Sequence, residues 1–295
     1  MSKANNELPK SKKHMDSEEF YRLYLLIQKQ NWLEESYNGL IELWNLCDKN
    51  EQKELIEDLL KRFVVLNLEK IEKACKNIAD HISNKWYLIG KSTKIVAMCS
   101  GDKPDGSQFI LQCLKNKFAD IKGWEERDFV NNLKSFGQVN YQIKSDQSVV
   151  LIDDFIGTGK TAIRKTEWLI NKFKKKNLQM VKIYIISLAC MEAAVKKIGD
   201  LKVDFYSPYI LKKGINDFYC GNELEENIRN MENLESLLHP NYKQLKLSEF
   251  NFGYGRSETL FTIQGGNVPN NVFPIFWWPL LKNNSKRKTI LRRII

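Results

Sequence analysis

The sequence predicts an α/β fold, a parallel sheet flanked by helices, with an N-terminal helical region and a C-terminal hood rich in Gly, Asn and aromatic residues. Three observations lead there. Strand-like and helix-like runs alternate from Lys94 to Tyr206, and the strand-like runs are apolar on both faces, as strands covered by helices on each side must be. Between Asp16 and Trp86 there is no proline and glycine only at Gly39, while the apolar residues recur at helical spacing. From Phe252 to Leu281 the composition shifts to Gly, Asn, Pro and aromatics, residues suited to tight turns over a packed surface.

The expected organisation has four parts. Residues 1–15 are polar and lysine-rich, with no apolar core of a secretory signal, and are expected as a disordered basic arm. The helical region, 16–86, starts with Asp16 and Glu19 as a capping box. Four stripes follow: Phe20, Leu23, Tyr24 and Ile27; Leu40, Leu43, Trp44 and Cys47; Leu55, Leu59, Leu60 and Phe63; and Leu68, Ile71, Cys75, Ile78 and Ile82. The α/β domain, 87–281, reads as a strand at Lys94–Met98, a loop at Cys99–Gly106 and helices at Ser107–Phe118 and Trp124–Phe136. A strand at Val149–Ile152, a helix at Thr161–Lys175, a strand at Val181–Leu188, a helix at Met191–Ile198 and a strand at Lys202–Tyr206 come next. Glu223–Leu238 is an acidic helix, and the hood holds a short strand or hairpin. Residues 282–295 are expected as a basic tail.

Of the 295 residues, 43% are hydrophobic, enough for a sizeable core. No apolar run is long enough to span a membrane. The six cysteines include no C-x-x-C pair and the three histidines stand far apart, which disfavours a zinc site and suits free thiols in a reducing cytoplasm. The net charge of +10 suits anionic partners, whether nucleotides or nucleic acid. Its excess concentrates in Lys172–Lys176, read as solvated surface, and in the tail, read either as a contact to nucleic acid or a reverse-transcriptase complex or as free solvated chain.

Val149 to Thr161 reads V-V-L-I-D-D-F-I-G-T-G-K-T. Four strand formers end in two carboxylates, and a glycine-punctuated loop then opens a helix. In open α/β sheets, ligands bind at the carboxyl ends of strands. Amide hydrogens at such a turn attract phosphate, and Gly157 and Gly159 let the backbone come close. Carboxylates repel phosphate, but the conflict disappears for a sugar phosphate. Asp153 and Asp154 then accept from ribose hydroxyls, or hold Mg²⁺ at one remove. Gly157, Thr158, Gly159, Lys160 and Thr161 take the phosphate. No residue is assigned a catalytic role.

This stretch resembles the phosphoribosyl-pyrophosphate-binding motif of type I phosphoribosyltransferases: hydrophobic strand, acidic pair, two apolar residues, then a Thr-Gly-x-Thr loop. The resemblance implies a fold of that type and a phosphoribosyl pyrophosphate or nucleotide-like ligand carrying Mg²⁺. It implies glycosyl transfer or hydrolysis at ribose C1, where pyrophosphate leaves. Asp153 and Asp154 would hold the ribose hydroxyls and Gly157 to Thr161 the 5′-phosphate. Ser100, Gly101 and Lys103 stand where the family's pyrophosphate loop lies, with a solvated loop lysine as the alternative for Lys103. One position departs. The purine-salvage subfamily, whose loop also ends Thr-Gly-Lys-Thr, has before that Thr an aspartate that serves the purine ring as acid or base. Gly157 stands there here, which speaks against simple purine salvage. The stretch Gly265–Trp278 is similar to the tail of phosphoribosyltransferase-like domains of bacterial conflict and defence systems, including retron loci, and so implies antiviral defence. Its aromatics Phe276, Trp277 and Trp278 either stack on a base or plug the core.

Three other readings compete. Gly159-Lys160-Thr161 looks like the end of a P-loop, but Asp154 stands where that motif needs its first glycine. A non-catalytic nucleotide sensor would keep the ligand loop and lose the chemistry. A structural partner in a nucleoprotein complex would use the basic tail.

Overall fold

The structure is a computed structural model that describes residues 15–99, 101, 104–137, 143–144, 146–178 and 180–295. The expected arm, apart from Met15, lies outside them. The chain begins with α1 (Ser17–Lys29), α2 (Tyr37–Leu46) and α3 (Asn50–Lys61), then a short strand β1 (Val64–Leu66) and the long helix α4 (Leu68–Asn84). Asp16 caps α1 by accepting from the Glu19 amide at 2.8 Å, and Asn67 caps α4 by accepting from the Lys70 amide at 3.0 Å. The stripes of α2, α3 and α4 are buried apart from exposed Leu68 at the start of α4, but α1 differs from expectation: Leu23 and Leu26 are buried, while Phe20 and Tyr24 are 65% and 49% exposed. Apolar residues run nearly all round α1, so spacing does not choose its face. The choice is made by ion pairs to α3, Arg22 with Glu57 at 2.7 Å and Lys53 with Glu19.

The central sheet is formed by β2 (Thr93–Ala97), β3 (Phe129–Val130), β4 (Ser148–Ile156), β5 (Lys182–Met191), β6 (Asp204–Tyr206) and β7 (Tyr209–Leu211). Its order is β3-β2-β4-β5-β6, with β7 pairing further along the same edge of β5, and every pairing is parallel. The edge breaks between β6 and β7 at Ser207-Pro208, where proline can donate no ladder bond. Connections run through α5 (Gly106–Lys115), α6 (Leu133–Gly137), α7 (Lys160–Lys175) and α8 (Glu192–Gly199). The core is the expected one, a parallel sheet buried on both faces: Val149, Val150, Leu151, Ile152, Ile185 and Ile186 have no exposed surface. One expected helix is absent. Trp124–Phe136 instead forms a 3₁₀ turn at 126–128, the edge strand β3 and the short α6. Glu125 and Asp128 cap each other across that turn, and Phe129 is drawn into register with Ile95 beside the rings of Phe118 and Trp124.

After β7 come α9 (Gly221–Glu235), the small hairpin β8 (Asn241–Tyr242) and β9 (Leu245–Lys246), and β10 (Phe261–Ile263). Strand β10 pairs in parallel with β1, nearly two hundred positions earlier, Val64 opposite Phe261. This ribbon joins two cores. The first gathers the sheet, α4, α5 and α7. The second joins α1, α2 and α3 to the C-terminal segment, with Trp44, Phe252, Phe273, Phe276, Trp277 and Trp278 almost wholly buried. Phe276, Trp277 and Trp278 are therefore core.

Residues 282–295 do not form a free solvated tail. Arg287, Ile290 and Leu291 are buried, while Lys282, Lys286, Lys288 and Arg292 stay exposed. The segment crosses α2, where the Lys288 amide donates to Glu42 Oε2 at 2.7 Å, and the Leu291 amide donates to the Phe276 carbonyl at 3.0 Å. Two aliphatic residues among the bases anchor it. Cys75, Cys99, Cys113, Cys190 and Cys220 form no disulfide, and no helix among the described residues is long and apolar enough to cross a membrane.

A Cβ on Gly39 would stand 2.5 Å from the Thr289 carbonyl carbon and oxygen, backbone atoms that cannot rotate aside. Gly39→Ala is expected to destabilise the protein by about 1–3 kcal/mol, the usual cost of overpacking. Denaturant unfolding checks this; an unchanged midpoint would show that the tail is not seated on α2.

Candidate functional site

Strand β4 runs on past Ile152, because its pairing with β5 continues through Asp153, Phe155 and Ile156. The two aspartates thus sit at the carboxyl end of the central strand, where helices leave the sheet. The chain then turns through Gly157 and Thr158 to Gly159, whose φ of +80° is the left-handed conformation glycine adopts without strain. Gly159 is the N-cap of α7, so the unpaired amides of the first turn of this sixteen-residue helix face the space beyond the strand.

That space is a cavity of about 430 Å³. Asp153, Asp154 and Asp105 lie at one side, and the turn from Gly157 to Thr161 forms its floor, with Lys165 one turn further along α7. Asp105 is the N-cap of α5 and accepts from the Ser107 amide at 2.9 Å. The Asp154 carboxylate rests directly against Gly106, where any Cβ would overlap it. Burial, and for Asp153 the neighbouring charge of Asp154, push the Asp153 carboxyl well above the ordinary range; Asp105 adds to this and Lys165 opposes it. Asp154 is raised too, by burial and then by Asp105. Lys165 Nζ donates to the Met98 carbonyl.

The C-terminal segment roofs the cavity with Tyr254, the turn Asn267–Asn271 and Arg293. Its closest approach is at Gly157, where the Asn271 carboxamide lies flat against the glycine and would overlap any Cβ there. The Asn271 amide is oriented by its partners: Nδ2 donates to the Tyr254 carbonyl at 3.1 Å and to Ser257 Oγ at 3.0 Å. A carbonyl only accepts, so the nitrogen must face it. Two recessed carboxylates hold this roof. Glu235 accepts from the Phe252 amide at 3.1 Å, its carboxyl pushed up to about 8 by burial. Glu258, with no exposed surface, accepts from the amides of Ile215 and Asn216 at 2.9 and 2.8 Å.

Of the residues singled out in the sequence, Asp153, Asp154, Gly157, Thr158, Gly159 and Thr161 line this one cavity. Lys160 does not: it is exposed, its ammonium 6.0 Å from the Tyr254 ring centre. Gly101 is also not at the cavity, its carbonyl accepting from Asn132 Nδ2 at 3.2 Å and from Cys99 Sγ at 3.3 Å. Ser100 and Lys103 lie outside the described residues. Sequence reasoning passed over Asp105, Lys165, Asn271 and Arg293. Lys165 follows Thr161 at helical spacing and was open to inference. Asn271 and Arg293 arrive from more than a hundred residues away; Asn271 lies in the singled-out stretch Gly265–Trp278, and Arg293 carries no local signal. A P-loop does not fit, since Asp154 brings a carboxylate where that motif places a glycine against phosphate.

Residues 39–293 match the family described as PRTase-CE. Among solved structures, the crystal structure of orotate phosphoribosyltransferase from Aeropyrum pernix matches at 16% identity, with 47% of this chain and 70% of that chain covered and a TM-score of 0.28. No curated protein matches the chain.

The raised carboxyls of the site have a consequence for stability. A carboxyl raised in the folded state makes that state bind protons more tightly than the unfolded chain, so ligand-free stability falls as pH rises above the ordinary value of 3.8. Asp153→Asn removes the most strongly raised of the pair. The variant is expected to be more stable than wild type at pH 8, with the difference closing as pH falls below 3.8. Thermal denaturation across that range checks it, and a variant less stable than wild type at pH 8 would contradict the electrostatic reading.

Proposed function

The chain belongs to the PRTase-CE family, with a type I phosphoribosyltransferase-like fold, and from that premise we propose that its cavity binds phosphoribosyl pyrophosphate or a close nucleotide-like ligand. The observation that carries this is the meeting of two opposed chemistries in one cavity: recessed carboxylates at the end of β4 and amide hydrogens at the start of α7. A plain anion would meet repulsion at the first, and a plain cation at the second. A sugar phosphate satisfies both. Asp153 and Asp154 accept from ribose hydroxyls, and Gly157, Thr158, Gly159 and Thr161 receive the 5′-phosphate. Lys160, facing outward, contributes charge at a distance. The acidic side suits a ligand that brings its own Mg²⁺. The ion would spread the charge of a departing diphosphate, with Asp153 and Asp154 reaching it through water. The protein's own part is to fix the ribose and exclude water beneath the 254–271 roof.

Anti-phage defence in the cytoplasm is the setting supported by the likeness of Gly265–Trp278 to tails of conflict-system and retron-associated relatives. In that setting the exposed Lys282, Lys286, Lys288 and Arg292 would meet nucleic acid or a reverse-transcriptase complex.

A second reading, binding without turnover, is favoured by one observation. Asn271 fills the space over Gly157, so no carboxylate can take the position of the purine-salvage aspartate, and a carboxamide is neither acid nor base at neutral pH. The protein would then sense the nucleotide pool.

Isothermal titration with phosphoribosyl pyrophosphate and Mg²⁺ tests the ligand. Wild type is expected to bind, and Asp153→Asn with Asp154→Asn to bind at least about a hundredfold more weakly, on the scale of two lost charge-assisted contacts. No heat from wild type would end the proposal. Pyrophosphate release then separates the readings: release that needs the acidic pair marks an enzyme, whereas binding with no release across bases and nucleotides marks a sensor.

A further inference from the structure

We infer that Arg293 is a ligand-binding residue, carried by the folded C-terminal segment into the cavity to hold phosphoryl oxygens of the ligand. Placement comes first. The Ile294 amide donates to Asn267 Oδ1 at 2.8 Å, and Asn267 Nδ2 donates back to the Ile294 carbonyl at 3.2 Å. On the other side, the Val268 amide donates to the Arg292 carbonyl at 3.2 Å. The backbone is therefore pinned both before and after Arg293, and pinned to a turn that itself lines the cavity. Further back, Thr289 lies on Gly39 of α2 and Leu291 is bonded to Phe276. This is more fixation than a charged surface tail requires.

The guanidinium has donors to spare. Nη1 donates to the Val268 carbonyl, and the group stands 5.6 Å from the Trp277 ring centre. Nε is buried with no acceptor. Among the described residues no carboxylate pairs with Arg293. A recessed cation without a counter-ion is costly, and burial accordingly weakens its hold on its proton. The missing partner is an anion. Arg293 lines the same cavity as the Gly157–Thr161 turn, to which the proposed ligand's phosphate is assigned, and a planar guanidinium presents paired donors that match phosphate oxygens. The adjacent Arg292 is a natural control: it is exposed and lines a different cavity, beside Trp32 and Gln264.

The ligand's name here rests on the phosphoribosyl reading, but the need for an anion at Arg293 does not. The experiment titrates wild type, Arg293→Gln, Arg293→Lys and Arg292→Gln with phosphoribosyl pyrophosphate and with ribose 5-phosphate, both with Mg²⁺, after thermal melts. Arg293→Gln is expected to weaken phosphoribosyl pyrophosphate about tenfold or more, as loss of a charged hydrogen-bonding pair does. Arg293→Lys should recover part of that loss, and Arg292→Gln should stay within about twofold, as exposed charges do. A larger loss for phosphoribosyl pyrophosphate than for ribose 5-phosphate puts Arg293 on the diphosphate; an equal loss puts it on the 5′-phosphate; either supports the inference. A folded Arg293→Gln that binds both like wild type overturns it, as does an equal loss in Arg292→Gln. Should Arg293→Gln fail to fold, Arg293→Lys decides: wild-type affinity for both ligands overturns the inference, and weakened binding with Arg292→Gln unchanged supports it. Should wild type bind neither sugar phosphate, the phosphoribosyl reading fails separately. Inorganic pyrophosphate then becomes the probe: binding lost in Arg293→Gln supports the inference, and binding unchanged or absent overturns it.

Discussion

The site depends on side chains lying directly on bare glycine backbone where the C-terminal segment meets the glycine-rich turn. Asn271 lies flat on Gly157, the methyl of Thr158 comes within 2.7 Å of where a Cβ on Gly255 would stand, and Gly253 sits against the Asn271 carbonyl. None of these contacts leaves room for a side chain on the glycine. Gly253 and Gly255 also have φ of +77° and +67°, which most residues resist. The roof can close over the glycine-rich turn only because three positions lack a Cβ. Its position is in turn set by two buried carboxyl groups: Glu235 accepts from the Phe252 amide of the segment, and Glu258 within the segment accepts from the amides of Ile215 and Asn216. A carboxylate in such a place is costly unless bonded, so losing these bonds would release the loop.

This arrangement also accounts for the N-terminal helices. They do not form a separate bundle beside the sheet. Helices α1 to α3 share their core with residues from Phe252 to Leu291, and β1 pairs with β10. Phe155 at the end of β4 stacks on Phe261 of β10 with ring centres 5.1 Å apart, so the site's strand and the roof's strand are packed together. The helices are the bed on which the roof and the C-terminal segment lie, and Gly39 is where that bed is hollowed for the chain to cross.

What could be read from the sequence was local. The strand, turn and helix from Val149 to Lys175 is contiguous, and its chemistry follows from the order of its residues. Even so, the strand was read as ending at Ile152, because aspartate disfavours strands; pairing with Ser187, Ala189 and Cys190 on β5 overrides that preference. The face of α1 was misread because nearly every side of it is apolar and charges on α3 choose between them. Of the two readings of the tail, the free solvated chain fails, because Ile290 and Leu291 decide its packing. Asn271 stood in the singled-out stretch Gly265–Trp278, but its place over Gly157, like that of Arg293 in the cavity, exists only once the chain's end has been folded back onto its middle.

The cavity that results carries charges of both signs, and Lys165 offsets its carboxylates only in part. Asp105, Asp153 and Asp154 crowd together, and burial with the nearby carboxylates raises the proton affinity of Asp153, as burial and Asp105 do that of Asp154. Arg293 and the first turn of α7 line the same cavity, as does Lys165, whose ammonium is bonded to a carbonyl rather than a carboxylate. The protein could have neutralised itself by bringing Arg293 or Lys165 onto the aspartates, which would stabilise the empty fold. It holds them apart with a pinned backbone on one side and a helix cap on the other. Keeping opposite charges separated in a recessed space costs stability, and that cost is returned when a ligand carrying hydroxyls or a cation at one end and phosphate at the other completes both halves. On the proposed reading, much of the affinity comes from relieving this separation, so the ligand must be matched in length as well as in charge. A lone phosphate or a lone nucleoside would satisfy one half and leave the other as it was.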